Sequence, residues 1–219
     1  ALTGFLIQCV YFGLAYMAMK MGMNAATTAI IMGLQPILVA ALSPLVGAGR
    51  PGRWLWAGLG LGFAGVLIVV LSGQSLGPSP GVAVLLAVSA LLGMTLATLF
   101  EKWHGLRTDP AVGGFVQYLV AFCVLLPVAW ITEGLAVRWH PELAISLAYL
   151  VVANSIISIG LFIALLQRGS ATHISSLLYL VPPIALFVSW LLLGETMPAL
   201  ALIGFVLSII GVYIVGRNT

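Results

Sequence analysis

The chain alternates between long apolar runs and short connectors that are rich in glycine, proline and polar residues. The runs are apolar on every side of a helix, and each is close to the ~20 residues that a helix needs to cross a bilayer. They lie at about 1–19, 25–46, 53–72, 81–101, 110–132, 143–166, 171–193 and 198–216. The pattern predicts a bundle of eight membrane-spanning helices.

The composition supports an all-α membrane protein. Hydrophobic residues make up 62% of the chain and charged residues 6%, whereas a soluble domain has roughly 25% charged residues. In hydrocarbon each backbone amide must be satisfied within its own segment, so such runs form helices, and they lack the alternation of a membrane β-barrel. We therefore expect a multi-pass protein in contact with the lipid bilayer. The net charge of +3 comes from scattered residues, so no nucleic-acid partner is expected.

The cations in the connectors predict the orientation in the membrane, because short cytoplasmic loops are enriched in Lys and Arg. If residue 1 is cytoplasmic, the inner side receives Arg50, Arg53, Lys102, Arg107, Arg168 and Arg217. Lys20 and Arg138 fall outside. The bias predicts that both chain ends are cytoplasmic.

Segments 25–69 and 171–215 read as two copies of one unit at a constant offset. The offset pairs Pro36 with Pro182, Ser43 with Ser189, Gly58 with Gly204 and Gly65 with Gly211. Three predicted helices lie between the copies, so the copies enter the membrane from opposite faces. This is an inverted repeat, from which many secondary transporters build a substrate site near the bilayer midplane.

The repeat predicts two domains, 1–73 and 80–217. The second contains five predicted helices and the first only three, since nothing precedes residue 1 that would match helices 81–101 and 110–132. The chain also starts without methionine, inside an apolar run. We expect a fragment that lacks the first two helices of a ten-helix, 5+5 inverted-repeat transporter fold.

Small residues form a stripe at equivalent positions of both copies. The stripe pairs Gly58, Gly62 and Gly65 with Gly204, Ser208 and Gly211. Small residues let helix backbones approach closely in membranes. We therefore assign this stripe to helix packing and not to substrate contact.

Three prolines within the spans are candidate helix kinks: Pro36, Pro182 and Pro183. A proline inside a helix removes one backbone hydrogen bond and frees a carbonyl, so the helix there can line a cavity and flex. The alternative is that proline is simply more common in membrane helices than in soluble ones. The recurrence of the proline in both copies favours the cavity.

Polar and aromatic residues deep in the spans are the candidate substrate contacts. They are Gln8, Tyr11, Gln35, Asn154, Ser158, Ser175 and Tyr179. For any one of them, an ordinary hydrogen bond between helices is an alternative. Together, such amides, hydroxyls and phenol rings suit a small zwitterion or a moderately polar organic solute. They suit a sugar phosphate poorly, because no deep Arg or Lys is present to pair with phosphate.

The charged residues and cysteines predict no ion relay, metal site or cofactor. Glu101, Glu133 and Glu195 lie at predicted helix ends, so proton coupling through a mid-membrane carboxylate is unsupported unless the missing helices supply one. Cys9 and Cys123 are isolated in apolar runs, which excludes a disulfide framework or a metal cluster. An enzyme would need a nucleophile with a base, or a metal cluster, so we expect no enzymatic activity.

The motifs of the two copies resemble those of a known family. The second copy has Ser-Leu-Leu-Tyr-Leu-Val-Pro-Pro-Ile at 176–184, then Leu-Gly-Glu at 193–195. The first has Ala-Ile-Ile-Met-Gly-Leu-Gln-Pro at 29–36, but Ala48-Gly49 where the second has Gly194-Glu195. With the paired glycines, this resembles the EamA-type carriers of the drug/metabolite transporter superfamily, whose ten helices form two inverted five-helix halves.

The resemblance implies a secondary transporter that exports small metabolites such as amino acids across the bacterial inner membrane by alternating access. The direction and the substrate class come from the resemblance, whereas the residues indicate only an uncharged polar cavity. Two alternatives stay open: a drug, lipid or nucleotide-sugar carrier on the same fold, and an integral-membrane enzyme that acts on lipids. The sequence leaves open whether the protein is a monomer or a homodimer.

Overall fold

The computed structural model describes residues 1–47, 49–73, 79–104, 109–134, 139–193 and 198–218, and every regular element within these ranges is helical. Eight helices are long and apolar enough to span a membrane. They are α1 (Leu2–Lys20), α2 (Ala25–Val46), α3 (Arg53–Gly73), α4 (Gly81–His104), α5 (Pro110–Glu133), α6 (141–168), α7 (171–193) and α8 (Ala199–Arg217). The predicted all-α bundle of eight spans is confirmed.

Side-chain caps fix where several helices begin. The Asn24 side-chain oxygen accepts a hydrogen bond from the Thr27 amide at 2.7 Å, and Ser170 Oγ accepts one from the His173 amide at 3.1 Å. Asp109 accepts from the Ala111 amide at 2.8 Å, with Pro110 in the first helical position. These caps satisfy amides that would otherwise lack a partner at a helix start.

Helix α4 lies in the middle of the bundle, because small residues let its neighbours approach. Ala83, Ala87, Ala90 and Ala97 are all fully buried. Where α1 crosses α4, a Cβ added at Gly93 would lie 2.7 Å from a Val10 methyl carbon. The core around α4 is therefore built from close helix contacts between small residues.

Helices α3 and α8 pack backbone against backbone along a glycine seam, defined as Gly58, Gly62, Gly65, Gly204, Ser208 and Gly211. A Cβ added at Gly58 would lie 3.0 Å from the Gly211 carbonyl oxygen. A Cβ added at Gly65 would lie 2.6 Å from the Gly204 carbonyl oxygen. The predicted packing role of the stripe is confirmed.

The order of contacts in the glycine seam shows how the two copies are related. Residue numbers rise along α3 while those of their partners fall along α8, so the two helices are antiparallel. Gly58 meets the counterpart of Gly65, and Gly65 meets the counterpart of Gly58. Such reciprocal pairing is what a two-fold axis between equivalent units produces.

Four helices leave regular α geometry at corresponding depths. The backbone widens to a π-helix at Phe5–Gly13 in α1 and at Leu150–Ser158 in α6. Helix α2 has an irregular turn at 33–34, and α7 tightens to a 3₁₀ helix at Leu177–Leu180. The two latter breaks stand just before Pro36 and Pro182. Departures of this kind are often found at functional sites.

The outer surface of the bundle is suited to lipid. The first part of α6, Pro141–Tyr149, has no buried residue, although it consists largely of apolar side chains. Trp54, Trp103, Trp130 and Trp139 are exposed at or near helix ends. Tryptophan at such positions is typical of the interface between hydrocarbon and headgroups.

Candidate functional site

A cavity of about 150 Å³ lies where the irregular stretches of α2 and α7 face α1, α3 and α4. The residues that line it are Tyr11, Ala29, Met32, Gly33, Gln35, Val66, Met94, Leu178, Val181 and Pro182. No charged residue is among them. Most of the wall is apolar, with polar groups supplied by Tyr11 and Gln35.

The two copies contribute equivalent positions to the cavity wall. Met32 of α2 and Leu178 of α7 are paired by the repeat offset, and both line the cavity. The same holds for Gln35 and Val181. The cavity therefore lies between the two copies, as midplane sites of inverted-repeat transporters do.

Gln35 is the centre of a buried polar network. Its side-chain nitrogen donates to Thr98 Oγ1 at 3.3 Å and to Ser175 Oγ at 3.4 Å. All three residues are at most 2% exposed. Within the described part of the chain, the Gln35 side-chain oxygen has no hydrogen-bond partner. The network joins α2, α4 and α7, and it leaves one buried acceptor unused on a residue that lines the cavity.

The two predicted α1 residues occupy different places. Tyr11 lines the cavity, and its ring lies 4.7 Å from that of Phe12, measured between centroids. Gln8 is buried outside the cavity lining, and its side-chain nitrogen has no partner among the described residues.

Two of the predicted α7 residues stand behind the cavity wall. Ser175 is fully buried and accepts the hydrogen bond from Gln35. Tyr179 is also fully buried but outside the lining, with its ring against α3. A Cβ added at Gly62 would lie 2.5 Å from Tyr179 Cδ2. In this conformation Tyr179 therefore packs against the glycine seam.

Ser158 of α6 lies outside the cavity lining. Ser158 is exposed, and its hydroxyl donates to the Ala153 carbonyl of the same helix at 2.8 Å. The side chain of Asn154 lies outside the described residues.

The predicted helix-kink prolines lie at or behind the wall. Pro182 lines the cavity, while Pro36 and Pro183 are buried. Each therefore lies at the level of the breaks in α2 and α7.

Sequence reasoning missed the contribution of α4. Met94 lines the cavity and Thr98 accepts from Gln35. Thr95 and Thr98 stand three residues apart on α4, both fully or almost fully buried. This spacing on an otherwise apolar helix was the available signal.

The ten residues that line the cavity include no cysteine, histidine or carboxylate. Among the described residues, no group of three His, Cys, Asp or Glu side chains could hold a metal ion. Cys9 and Cys123 are free thiols, and neither lines the cavity. The site as it stands offers one amide, one phenol and an apolar wall.

Comparison with known proteins supports a transporter. The model of the EamA-like transporter family matches residues 81–217. A probable amino-acid metabolite efflux pump of Salmonella typhimurium is 29% identical over 96% of this chain and 74% of its own length. An uncharacterized transporter of Synechocystis sp. is 29% identical over 89% of this chain. An uncharacterized inner membrane transporter of Escherichia coli K12, YedA, is 27% identical over 90% of it.

Several of these relatives are longer than the present chain. The chain spans 64% of the Synechocystis transporter and 63% of the Escherichia coli transporter. A solved crystal structure superposes with a TM-score of 0.80 over 98% of this chain and 76% of that one. Their sequence identity is 16%, so this likeness concerns the fold.

Proposed function

Because this chain belongs to the EamA-like transporter family of multi-pass membrane proteins, we propose that it exports small metabolites, amino acids in particular, by alternating access. The observation that supports this most is the cavity of about 150 Å³ between the breaks of α2 and α7. It lies between the two copies, where each copy supplies equivalent wall residues.

Alternating access requires that the two copies move relative to each other around the bound solute. The breaks at 33–34 in α2 and at Leu177–Leu180 in α7 are the points at which these helices can bend. The glycine seam lets α3 and α8 stay packed as a common axis.

The chemistry of the cavity suits a small amphipathic solute. Gln35 offers an acceptor, Tyr11 offers a hydroxyl, and Met32, Met94 and Leu178 offer apolar contact. A cavity of this volume holds a molecule of about the size of benzene. Alanine is of about that size, whereas leucine is larger and fits once the cavity widens as the two copies move. The name of the Salmonella relative points to amino acids as the solute class.

Two further parts of the assignment rest on sequence patterns, and a third rests on a relative. We propose the domain division 1–73 and 80–217, with both chain ends in the cytoplasm because of the cation bias. The bacterial inner membrane is proposed as the location because of the Escherichia coli relative.

Counterflow in proteoliposomes tests the function. Vesicles that contain the full-length protein are preloaded with unlabelled leucine, and the entry of labelled leucine is followed. We expect transient accumulation that excess unlabelled leucine or valine abolishes and a sugar phosphate does not. If no labelled amino acid accumulated, in vesicles whose protein is shown to be folded, the proposal would be contradicted.

A second candidate is efflux of lipophilic drugs. Met32 of α2 and Met94 of α4 both line the cavity, and flexible methionine side chains adapt to varied apolar ligands. A labelled lipophilic cation belongs in the same counterflow panel. Uptake of the cation without that of any amino acid would favour this candidate.

A further inference from the structure

The hydroxyl of Thr98 decides which way the Gln35 side-chain amide points. Thr98 Oγ1 donates its one proton to the Met94 carbonyl oxygen at 2.9 Å, within the same helix. Towards Gln35, this oxygen can therefore only accept a hydrogen bond. The atom of Gln35 at 3.3 Å from it must be the amide nitrogen.

The orientation of the amide determines what the cavity can bind. With its nitrogen held by Thr98 and Ser175, the Gln35 amide leaves its oxygen as the atom without a partner in the described residues. Gln35 lines the cavity and its oxygen is closed to water in this conformation, so it is a desolvated acceptor that a solute reaches when the wall shifts around it. An unsatisfied buried acceptor is costly, and a ligand that donates to it recovers that cost.

We infer that Thr98 is a positioning residue that fixes the Gln35 amide with its oxygen as the free acceptor, so that the cavity selects solutes carrying a hydrogen-bond donor. The inference rests on the proposed transport function, and it adds a selection rule and a residue on α4. An ammonium, hydroxyl or amide N–H satisfies the rule, whereas a ketone in the same place does not.

The size of the preference for a solute with a hydrogen-bond donor follows from hydrogen-bond energetics. A site built to pair with a donor rejects an analogue without one, because the buried acceptor is then left unpaired. For a neutral donor we expect a preference of about five-fold, within the range of one net hydrogen bond.

The test compares two competitors of equal charge. Labelled leucine counterflow is measured with 2-hydroxy-4-methylpentanoate or 4-methyl-2-oxopentanoate as competitor. Both are anions of nearly the same shape, and only the first carries a donor at the position of the leucine ammonium. Both competitors carry the same carboxylate, so any effect of that group on binding cancels in the ratio of their inhibition constants. We expect the hydroxy acid to compete about five-fold better.

Variants separate positioning from simple packing. In Thr98→Val the amide can turn over, so the preference for the hydroxy acid should fall to about one, with the keto acid improving. Thr98→Ser keeps the accepting oxygen and should restore the preference.

The matched control is Thr95→Val. Thr95 is equally buried on the same helix, and its hydroxyl donates to the Leu91 carbonyl at 2.8 Å. This variant should keep the preference of the wild-type protein. Loss of the preference in Thr95→Val as well would assign the effect to helix packing and overturn the inference.

The outcomes distinguish this inference from the proposed function. Leucine counterflow with equal competition by both acids in the wild-type protein would overturn the inference while the transport function stands. Counterflow of no amino acid, from folded protein, would overturn the proposed function and the inference with it.

Discussion

Helices α2 and α7 share a backbone plan but fill it with different side chains. Both break at equivalent depth, and Met32 with Leu178 and Gln35 with Val181 line the cavity from both sides. At the break itself, α2 has Gly33 where α7 has Tyr179. The two copies are therefore alike in backbone geometry, but the chemistry of the site is one-sided, because the buried amide of Gln35 has only Val181 as its counterpart.

The unequal pair at the break explains where the cavity opens. Gly33 has no side chain and lines the cavity. The equivalent Tyr179 points its ring at α3, where Gly62 leaves room for it. The large side chain in one copy stiffens its break by packing, while glycine in the other leaves space for a solute. Two copies with the same backbone geometry can thus form one cavity although they carry different side chains around it.

The largest effect is expected at the glycine seam, on which both copies depend. A Cβ in Gly65→Ala would lie 2.6 Å from the Gly204 carbonyl, which forces α3 and α8 apart. Overpacking of this kind costs about 1–3 kcal/mol. Thermal unfolding in detergent should show a clear loss of stability.

Gly60→Ala, on the same helix as Gly65, is the control for the seam. Outside its own helix, no atom of the described residues lies within 4 Å of its added Cβ. It should unfold like the wild-type protein or slightly later, since alanine favours helix. Equal stability of the two alanine variants would contradict the packing account of α3 and α8.

Gly33→Ala makes the break of α2 more like that of α7. The added methyl would lie 3.3 Å from the Phe63 ring and reduce the cavity. We expect the ratio of transport efficiencies (kcat/KM) for leucine and alanine to fall by about ten-fold, since one methylene in a pocket is worth about 1–3 kcal/mol. An unchanged ratio in Gly33→Ala would show that the cavity does not limit solute size. The control variant Gly60→Ala should leave the leucine-to-alanine ratio unchanged.

Gln35→Val places on α2 the residue that α7 has at the equivalent position. The cavity then loses its buried acceptor, and the KM for leucine should rise by about five-fold with little change in kcat. Val181→Ala alters the same pair from the other side without touching a polar group. If both variants changed KM alike, the one-sided chemistry of the site would be refuted.

The smallest effects distinguish two tyrosines. Tyr11 lines the cavity, so Tyr11→Phe removes a hydroxyl that can reach a solute, and we expect a KM about three-fold higher. The Tyr179 hydroxyl is buried without a partner in the described residues. Tyr179→Phe should therefore leave KM unchanged and make thermal stability equal or slightly higher, because it removes an unpaired buried hydroxyl. A larger transport effect for Tyr179→Phe would restore Tyr179 to the substrate site.

The sequence predicted the spans and the seam well because hydrocarbon imposes helices and small residues mark close contacts. The predicted substrate contacts stay predictions, but the cavity lining includes Tyr11, Gln35 and Pro182, which are conspicuous in apolar runs as polar residues or paired prolines. Gln8 and Tyr179 lie outside the lining in this conformation. Sequence spacing does not predict such differences, because it assumes 3.6 residues per turn, whereas Tyr179 lies in a 3₁₀ segment and Gln8 and Tyr11 lie in a π-helix.

Thr98 was missed for a different reason. A threonine in a membrane helix commonly bonds to its own backbone, as Thr95 and Thr98 both do. Only the neighbouring helix distinguishes them, because Gln35 of α2 approaches Thr98 across the bundle. The spacing of the two threonines marks this face of α4 in the sequence, but which of them meets Gln35 depends on tertiary structure.

Substrate protection of a cysteine in the cavity tests the central claim most directly. Leu178→Cys places a thiol in the cavity wall, in a protein whose Cys9 and Cys123 have been replaced. Labelling with a small maleimide should slow markedly when leucine is added. A cysteine at Asn218, beyond the end of α8, should be labelled at the same rate with and without leucine. Equal labelling of Leu178→Cys in both conditions, in protein that transports leucine, would contradict a substrate site between α2 and α7.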